Sequence, residues 1–569
     1  MFRAALRTSL EAAARRAMAA GALPDVPLPE VEVEVPRGRR RADYATNLPL
    51  VLARSTGRPP REVARILVDA LELSPQQVAR VEVAGAGFIN FFLAPAWLHQ
   101  LLRHIHTVGE AYGSRDVGGG RRVNIEFVSA NPTGPLHIGS GRNGVIGDVL
   151  ANLLQALGYR VTREYYINDA GLLVHTLAQS VAYHYAAHFG REQPFPEDGY
   201  RGEYVRELAL RLVERDGAAW LERPEEERLA AFRDFALGEI LADIRRTLEA
   251  FGIHFDVWFS ERSLYEQGAV DRVLALLRER GLLYEQDGAV WFRSTSFGDE
   301  KDRVIIRSSG WPMYYAADIP YHLNKLERGF DHLINVWGID HIGDVARVKG
   351  GLAALGVDVS RLEIVLYQHV RLRNEGELLR MSKRRGEYVT LQDLLDAVGR
   401  DAARYFFCMY SPSVPMDFDW QLARERSQEN PVYYVQYAHA RISSIFREAL
   451  AHPVGQQVVA PAAGNWRVSE AAVQRADFSV LTHEAEIALL HALGELPEVI
   501  EAAGVRREPQ RLCAYARGLA EAFHVFYTQC RVLSDDPALT TARLILADAV
   551  RLVLRRTLGL IGVSAPERM

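Results

Sequence analysis

An α/β protein built around a doubly wound parallel sheet is the fold this sequence predicts, with a small α/β unit before the sheet and an all-α helical bundle after it. Three observations carry that expectation. A strand, a long helix and a second strand follow one another over 122–166, the spacing of a parallel crossover. Apolar strands return at His332–Val336 and Leu362–Gln368, after a long charged and mostly helical stretch. From Leu391 onward, apolar residues recur at three- and four-residue spacing almost to the end, the pattern of amphipathic helices.

At 569 residues the chain exceeds one ordinary core, and roughly three or four domains are expected. Its 48% hydrophobic and 24% charged residues describe a globular protein, and no apolar run is long enough to cross a bilayer, so no membrane partner is expected. Cys408, Cys513 and Cys530 are widely spaced and odd in number, which points away from a disulfide framework or a zinc site and fits a reducing cytoplasm. A net charge of −5 argues against a globally basic nucleic-acid coat, although RNA can still be held on local patches. Of 67 basic residues four are lysines, Lys301, Lys325, Lys349 and Lys383, so each marks a place where a compact ammonium is favoured over a planar guanidinium.

In chain order, residues 1–108 read as the small α/β unit. Met1–Ala20, with four arginines and one glutamate, has some transit-peptide character but runs into folded-looking sequence without a cleavage pattern and reads as a first helix. The alternating Val31–Val35, a helix over Pro60–Leu73 and a hairpin within Val81–Leu93 complete it. Arg37–Arg41, including Arg39 and Arg40, is a basic loop that is either solvated or in contact with RNA. A sheet domain over 115–425 has strands at 122–128 and Arg160–Tyr166, a helix at 137–157 and a helical insertion at about 186–300, after which Val304–Arg307 is read as resuming the sheet. The bundle occupies 426–569, with helices over Ser427–Ala449, Ser479–Ala502, Gln510–Leu533 and Thr541–Leu560 and a loop at 453–464.

The chemistry concentrates in two stretches. Asn131-Pro-Thr-Gly-Pro-Leu-His-Ile-Gly-Ser140 joins a strand to a helix start, where unpaired N–H groups and a partial positive charge favour phosphate. There His137 can donate to a phosphate oxygen and Gly139 leaves room for a flat base. Arg380-Met-Ser-Lys-Arg-Arg385 sets Lys383 among arginines in a loop between Gly376 and Gly386, suited to closing on a triphosphate and stabilising departing pyrophosphate. Glu126 inside an apolar strand and Asp318 amid alanine and isoleucine are costly unless paired. An internal salt bridge would account for either alone.

With these residues in view, the sequence resembles the class I arginyl-tRNA synthetases. His137–Ser140 is similar to the HIGH signature and Met381-Ser-Lys-Arg-Arg385 to KMSKS. Longer resemblances run over Val123–His137, Arg163–Gly171, Tyr315–His322 and Asn430–Arg441, and the similarity covers essentially the whole chain. The resemblance implies a class I Rossmann-like catalytic domain with an insertion and a KMSKS-like loop at 380–386. It implies ATP-dependent activation of L-arginine and transfer to the terminal ribose of tRNA(Arg), with ATP delivered as its Mg2+ complex and no protein-bound metal. His137, Ser140 and Lys383 would be catalytic. ATP would meet Pro135, His137, Gly139, Ser140, Arg142, Met381, Ser382 and Lys383. Arginine would be lined by Glu126, Ser129, Asn131, Glu261, Tyr314 and Asp318, with Asp340 and His341 at a strand end. Arg39, Arg40, Tyr437 and Arg441 would face tRNA. A cytoplasmic monomer is expected.

One departure stands out: Ser140 occupies the place of the signature's second histidine, with Arg142 and Lys383 the candidates to compensate. It raises the alternative of a non-catalytic tRNA-binding relative, against which intact Lys383 and the acid set argue. A nicotinamide-dependent oxidoreductase is the other alternative, because Gly139-Ser-Gly-Arg-Asn-Gly144 fits the dinucleotide fingerprint and Glu164 ends the next strand. Yet Gly139 stands a full loop beyond Val128, where the fingerprint needs its first glycine directly after the strand.

Overall fold

Five parallel strands form the central sheet of the computed structural model, which describes residues 2–36, 42–310, 312–374, 377–378, 389–462 and 465–569. Across the sheet the order is Leu362–Tyr367, His332–Gly338, Arg122–Glu126, Arg160–Ile167 and Val257–Ser260. In His332–Gly338, Leu333, Ile334, Asn335 and Val336 are all buried, as a strand covered on both faces requires. Strand order reverses between Arg122–Glu126 and His332–Gly338, and the crevice beyond their carboxyl ends is where such sheets bind ligands.

The helix Ile138–Ala156, the site helix, is buried on almost every face, which is why it lacks a polar stripe. Its glycines allow that burial. A Cβ at Gly147 would lie 2.2 Å from Phe127, one at Gly144 2.7 Å from Ile253, and one at Gly141 2.7 Å from Leu391. The fingerprint-like spacing of glycines therefore reflects close packing of a helix against its neighbours.

Several expectations change. Val257–Ser260, inside the stretch read as one helical insertion, is the edge strand of the central sheet. Four half-buried residues give too short a periodic signal to betray a strand; pairing with Arg160–Ile167 creates it. Arg303–Ile306 does not resume that sheet but closes a separate antiparallel one with Leu283–Gln286 and Ala289–Phe292. Val31–Glu34 alternates in burial as read, but Val35 is exposed, and the stretch joins the N-terminal sheet through a single bridge, Glu34 to Ala45, while Tyr44–Thr46 supplies the third strand. The loop at 453–464 holds a strand, Val459–Ala462, paired with Asn465–Val468.

The helices of the last third pack on both earlier parts. Arg404, fully buried, reaches Asp148 of the site helix at 2.5 Å, the carbonyl of Ile561 at 2.9 Å and that of Phe251 at 3.0 Å. Tyr44 and Tyr112 donate to Glu495 and to the carbonyl of Leu493, tying the N-terminal unit to the bundle.

Candidate active site

The chain turns sharply after Glu126. Val128 and Ser129 hold φ of 64° and 38°, left-handed values that side-chain-bearing residues seldom adopt. The turn brings the Ser129 hydroxyl back to donate to Glu126 Oε1 at 3.1 Å and to accept the N–H of Tyr166 at 3.1 Å. Asn131 follows and accepts from Asn168 at 3.2 Å.

The site helix then starts at a cap made by His137. Its Nδ1 accepts the N–H groups of Gly139 at 3.0 Å and Ser140 at 3.3 Å. Two of the N–H groups expected to be open to phosphate are thus already bonded. With Nδ1 as acceptor, the neutral ring carries its hydrogen on Nε2, so the imidazole is set up as a donor. Gly139 makes room for this cap, since a Cβ there would stand 2.7 Å from His137 Cε1.

Glu126, Ser129, Asn131, His137, Gly139, Ser140, Asp318, Asp340 and His341 all line one cleft of about 880 Å³ at the switch point. Pro135 is not among its lining residues. Asp340 and His341 sit at its rim, their side chains 64% and 58% exposed. His341 is bonded to Asp344, and that contact raises the ring's affinity for a proton. The sequence reading missed Arg303, Asp344, Arg347, His369 and Asn143, which also line the cleft; the first four come from segments with no local motif, and Asn143 lies inside the glycine-spaced stretch without having been singled out.

Its floor is strongly acidic, and one acid has a resident partner. Lys325, fully buried on the helix Tyr314–Glu327, donates to Glu126 Oε2 at 2.6 Å. Glu126 thus has one oxygen matched within the fold, as a carboxylate in a buried strand requires, while it still lines the cleft. Glu261 and Asp318 differ. Burial pushes the Glu261 carboxyl up to about 7, although Tyr166 and Tyr265 hydrogen-bond to it, and its Oε2 has no partner among the described residues. Burial, then the charges of Glu261 and Glu126, hold Asp318 well above the usual carboxylate range. Glu261 is buried and not among the residues lining the cleft, but its charge bears on Asp318, which is; two carboxyl groups that resist ionising together favour a cation near them. Beneath them His322 is neutral, pulled down to about 3 by burial and by Lys325; Nδ1 donates to the Asp318 carbonyl at 2.7 Å.

Arg142 overturns its expected role. The guanidinium is fully buried and donates to the carbonyls of Gln368 at 2.7 Å, Ser411 at 2.9 Å and Val414 at 2.9 Å. It stands two residues from Ser140 on a helix, hence on another face, and cannot compensate for the missing imidazole at the cleft. Tyr437 and Arg441 lie away from the cleft on the helix Pro431–Ala449, where Arg441 bonds Tyr437 and lies over the Tyr437 and Tyr527 rings. Arg39, Arg40, Met381, Ser382 and Lys383 fall outside the described residues, as does the side chain of Tyr314. Both flanks of the Lys383 stretch border the cleft, however: Val370 lines it, and Thr390 bridges to His137.

Three family models match in succession: an arginyl tRNA synthetase N terminal domain over 3–93, the class I (R) tRNA synthetase catalytic domain over 105–406 and a DALR anticodon binding domain over 435–569. The chain belongs to the arginyl-tRNA synthetase family. Arginine–tRNA ligases of Desulforudis audaxviator and Moorella thermoacetica are 50% and 49% identical to it, the first over 100% of this chain and 99% of that one, the second over 99% and 98%. A putative arginyl-tRNA synthetase structure from Campylobacter jejuni shares 34% identity and a TM-score of 0.74, covering 84% of this chain and 100% of that one. The Thermus thermophilus arginyl-tRNA synthetase, at 24% identity and a TM-score of 0.75 over 100% of both chains, shares the fold.

As an arginyl-tRNA synthetase the protein is an aminoacyl-tRNA ligase of class I. The oxidoreductase alternative falls on the same geometry. Glu164, which would have met a ribose, is fully buried and bonded by Arg328, Tyr321 and Asn124.

Proposed function

We propose that this cleft forms arginyl-adenylate from L-arginine and Mg2+-bound ATP and passes the arginine to tRNA(Arg), with roles divided among the residues as follows. Glu261 and Asp318 receive the guanidinium, whose planar fork suits carboxylates. Ser129 and Asn131 meet the amino-acid end, and Tyr314 leads the helix that carries Asp318. Asp340 and His341 order the rim. His137 donates from Nε2 to a phosphate oxygen beside Ser140, and the 380–386 loop, with Met381 and Ser382, brings the Lys383 ammonium onto the leaving pyrophosphate. Arg142 holds the strand-end backbone and touches no phosphate, so Lys383 is the remaining candidate to compensate for Ser140.

The observation that carries this reading is Asp318 on the cleft wall with the charge of the buried Glu261 bearing on it, two acids that form no ion pair among the described residues, unlike Glu126 with its Lys325. In-line attack by the substrate carboxylate then needs positioning and charge stabilisation rather than a protein nucleophile. A monomer is part of this reading, and no described helix is long and apolar enough to cross a membrane. The divisions 1–108, 115–425 and 426–569 follow as the N-terminal tRNA-contacting, catalytic and anticodon-binding parts, with Arg39, Arg40, Tyr437 and Arg441 toward RNA. Arginine-dependent exchange of pyrophosphate into ATP, with and without tRNA(Arg), is the test. Exchange is expected with tRNA present; its absence in both arms contradicts the reading and favours a non-catalytic tRNA-binding role.

A further inference from the structure

Asn143 is a buried amide, 4% exposed, in the second turn of the site helix. Its Oδ1 accepts the N–H of Val128 at 2.6 Å and its Nδ2 donates to the carbonyl of Val336 at 2.9 Å. Val128 and Val336 stand at or just past the carboxyl ends of two neighbouring strands, on the two sides of the switch point. One amide thus joins two strand ends at the mouth of the cleft.

What it holds at Val128 is strained. A valine at φ 64° is disfavoured because its branched Cβ crowds the backbone, and such a residue persists where its surroundings hold it there. The bond from Asn143 is to the N–H of that very residue. The turn in turn places the Ser129 hydroxyl between Glu126 and Tyr166 and sets Ser129, Ala130 and Asn131 on the cleft wall. We infer that Asn143 is a positioning residue, which holds the left-handed Val128–Ser129 turn and thereby fixes the wall that receives the amino-acid end of the substrate. The inference rests on the roles proposed above for Ser129 and Asn131.

Glycine separates positioning from plain stability, because Gly enters the left-handed region without steric cost and so needs no restraint. The test is arginine-dependent pyrophosphate exchange by the full chain, with tRNA present, in N143A, V128G and N143A/V128G, each first shown to be folded by circular dichroism. N143A is expected to lose about 100-fold in kcat/KM for arginine, the scale of a misplaced substrate contact. V128G is the reference for the double variant, which is expected to regain about tenfold over N143A because the freed turn can again visit its native form. If N143A does not fold, N143S with and without V128G makes the same comparison. A folded N143A with parental kinetics overturns the inference, as does a double variant no better than the single one. Failure of the parent itself to exchange pyrophosphate strikes instead at the proposed function.

Discussion

The Lys325 ammonium lies 2.6 Å from Glu126 Oε2, and both side chains are buried beneath the cleft. Lys325 also sits 4.3 Å from the centroid of the Tyr321 ring and 3.4 Å from Asn335 Oδ1, so the charge is enclosed on several sides. Removing one member of such a pair leaves the other buried and unmatched. Lys325→Met is expected to cost about 3–5 kcal/mol of stability. Adding Glu126→Gln should restore most of it, since a neutral amide can still accept from Ser129. Thermal unfolding of the single and double variants checks this, and a single variant as stable as the parent contradicts it.

Glu261 makes stability and arginine binding depend on pH in opposite senses. Its carboxyl holds a proton more tightly folded, with a pKa of about 7 against an ordinary 4.5, so its contribution to stability is full below about pH 4.5 and is lost as pH rises through about 7. The loss amounts to about 3 kcal/mol. A bound guanidinium favours the ionised form, so arginine binding should release a proton and tighten as pH rises across that window. Calorimetry in two buffers of different ionisation enthalpy measures the proton directly. Glu261→Gln should reduce the buffer dependence to the part that Asp318 contributes.

Asp318 is the companion test of the cation seat. Asp318→Asn removes a charge while keeping shape and hydrogen bonding, and the KM for arginine is expected to rise about 10- to 100-fold, the worth of one charge-assisted bond. An unchanged KM removes Asp318 from the pocket.

Arg142→Met separates structure from catalysis. Three carbonyls at 2.7–2.9 Å lose their donor, and the loss of stability should reach about 3 kcal/mol or more. The KM for ATP should stay within about threefold, because the guanidinium does not reach the cleft. A large change in that KM at preserved stability would return Arg142 to the phosphates.

Lys383→Arg keeps the charge but exchanges a compact ammonium for a planar fork. Adenylate formation is expected to fall about 100- to 1000-fold while arginine binding survives. Single-turnover formation of the adenylate, beside equilibrium binding of arginine, reads the two effects apart.

Much of the site could be read before any coordinates. The turn from Asn131 to Ser140, the acids Glu126 and Asp318 and the end of the His332 strand stand out as polar residues in apolar or glycine-rich surroundings, which buried function tends to leave behind. The rarity of lysine pointed to Lys325 without saying why. Arg303, Arg347 and His369 gave no such signal: each is one polar residue on an ordinary segment, and their approach to the cleft depends on how distant elements are stacked. Val257–Ser260 escaped for a related reason, since an edge strand of four residues is defined by its neighbour's hydrogen bonds.

By itself, the sequence determined the order of elements, the helical last third and the glycine- and proline-marked turn on which the cleft is built, because periodicity and turn chemistry are local properties of the chain. Tertiary structure decided which charges are met within the fold and which are left for a ligand. Glu126 and Asp318 look alike in the sequence, and a lysine 199 residues away from one of them makes the difference. Whether a buried carboxylate needs a substrate cation depends on which side chains folding carries to within about 3 Å of it, and that distance is not written in any local pattern.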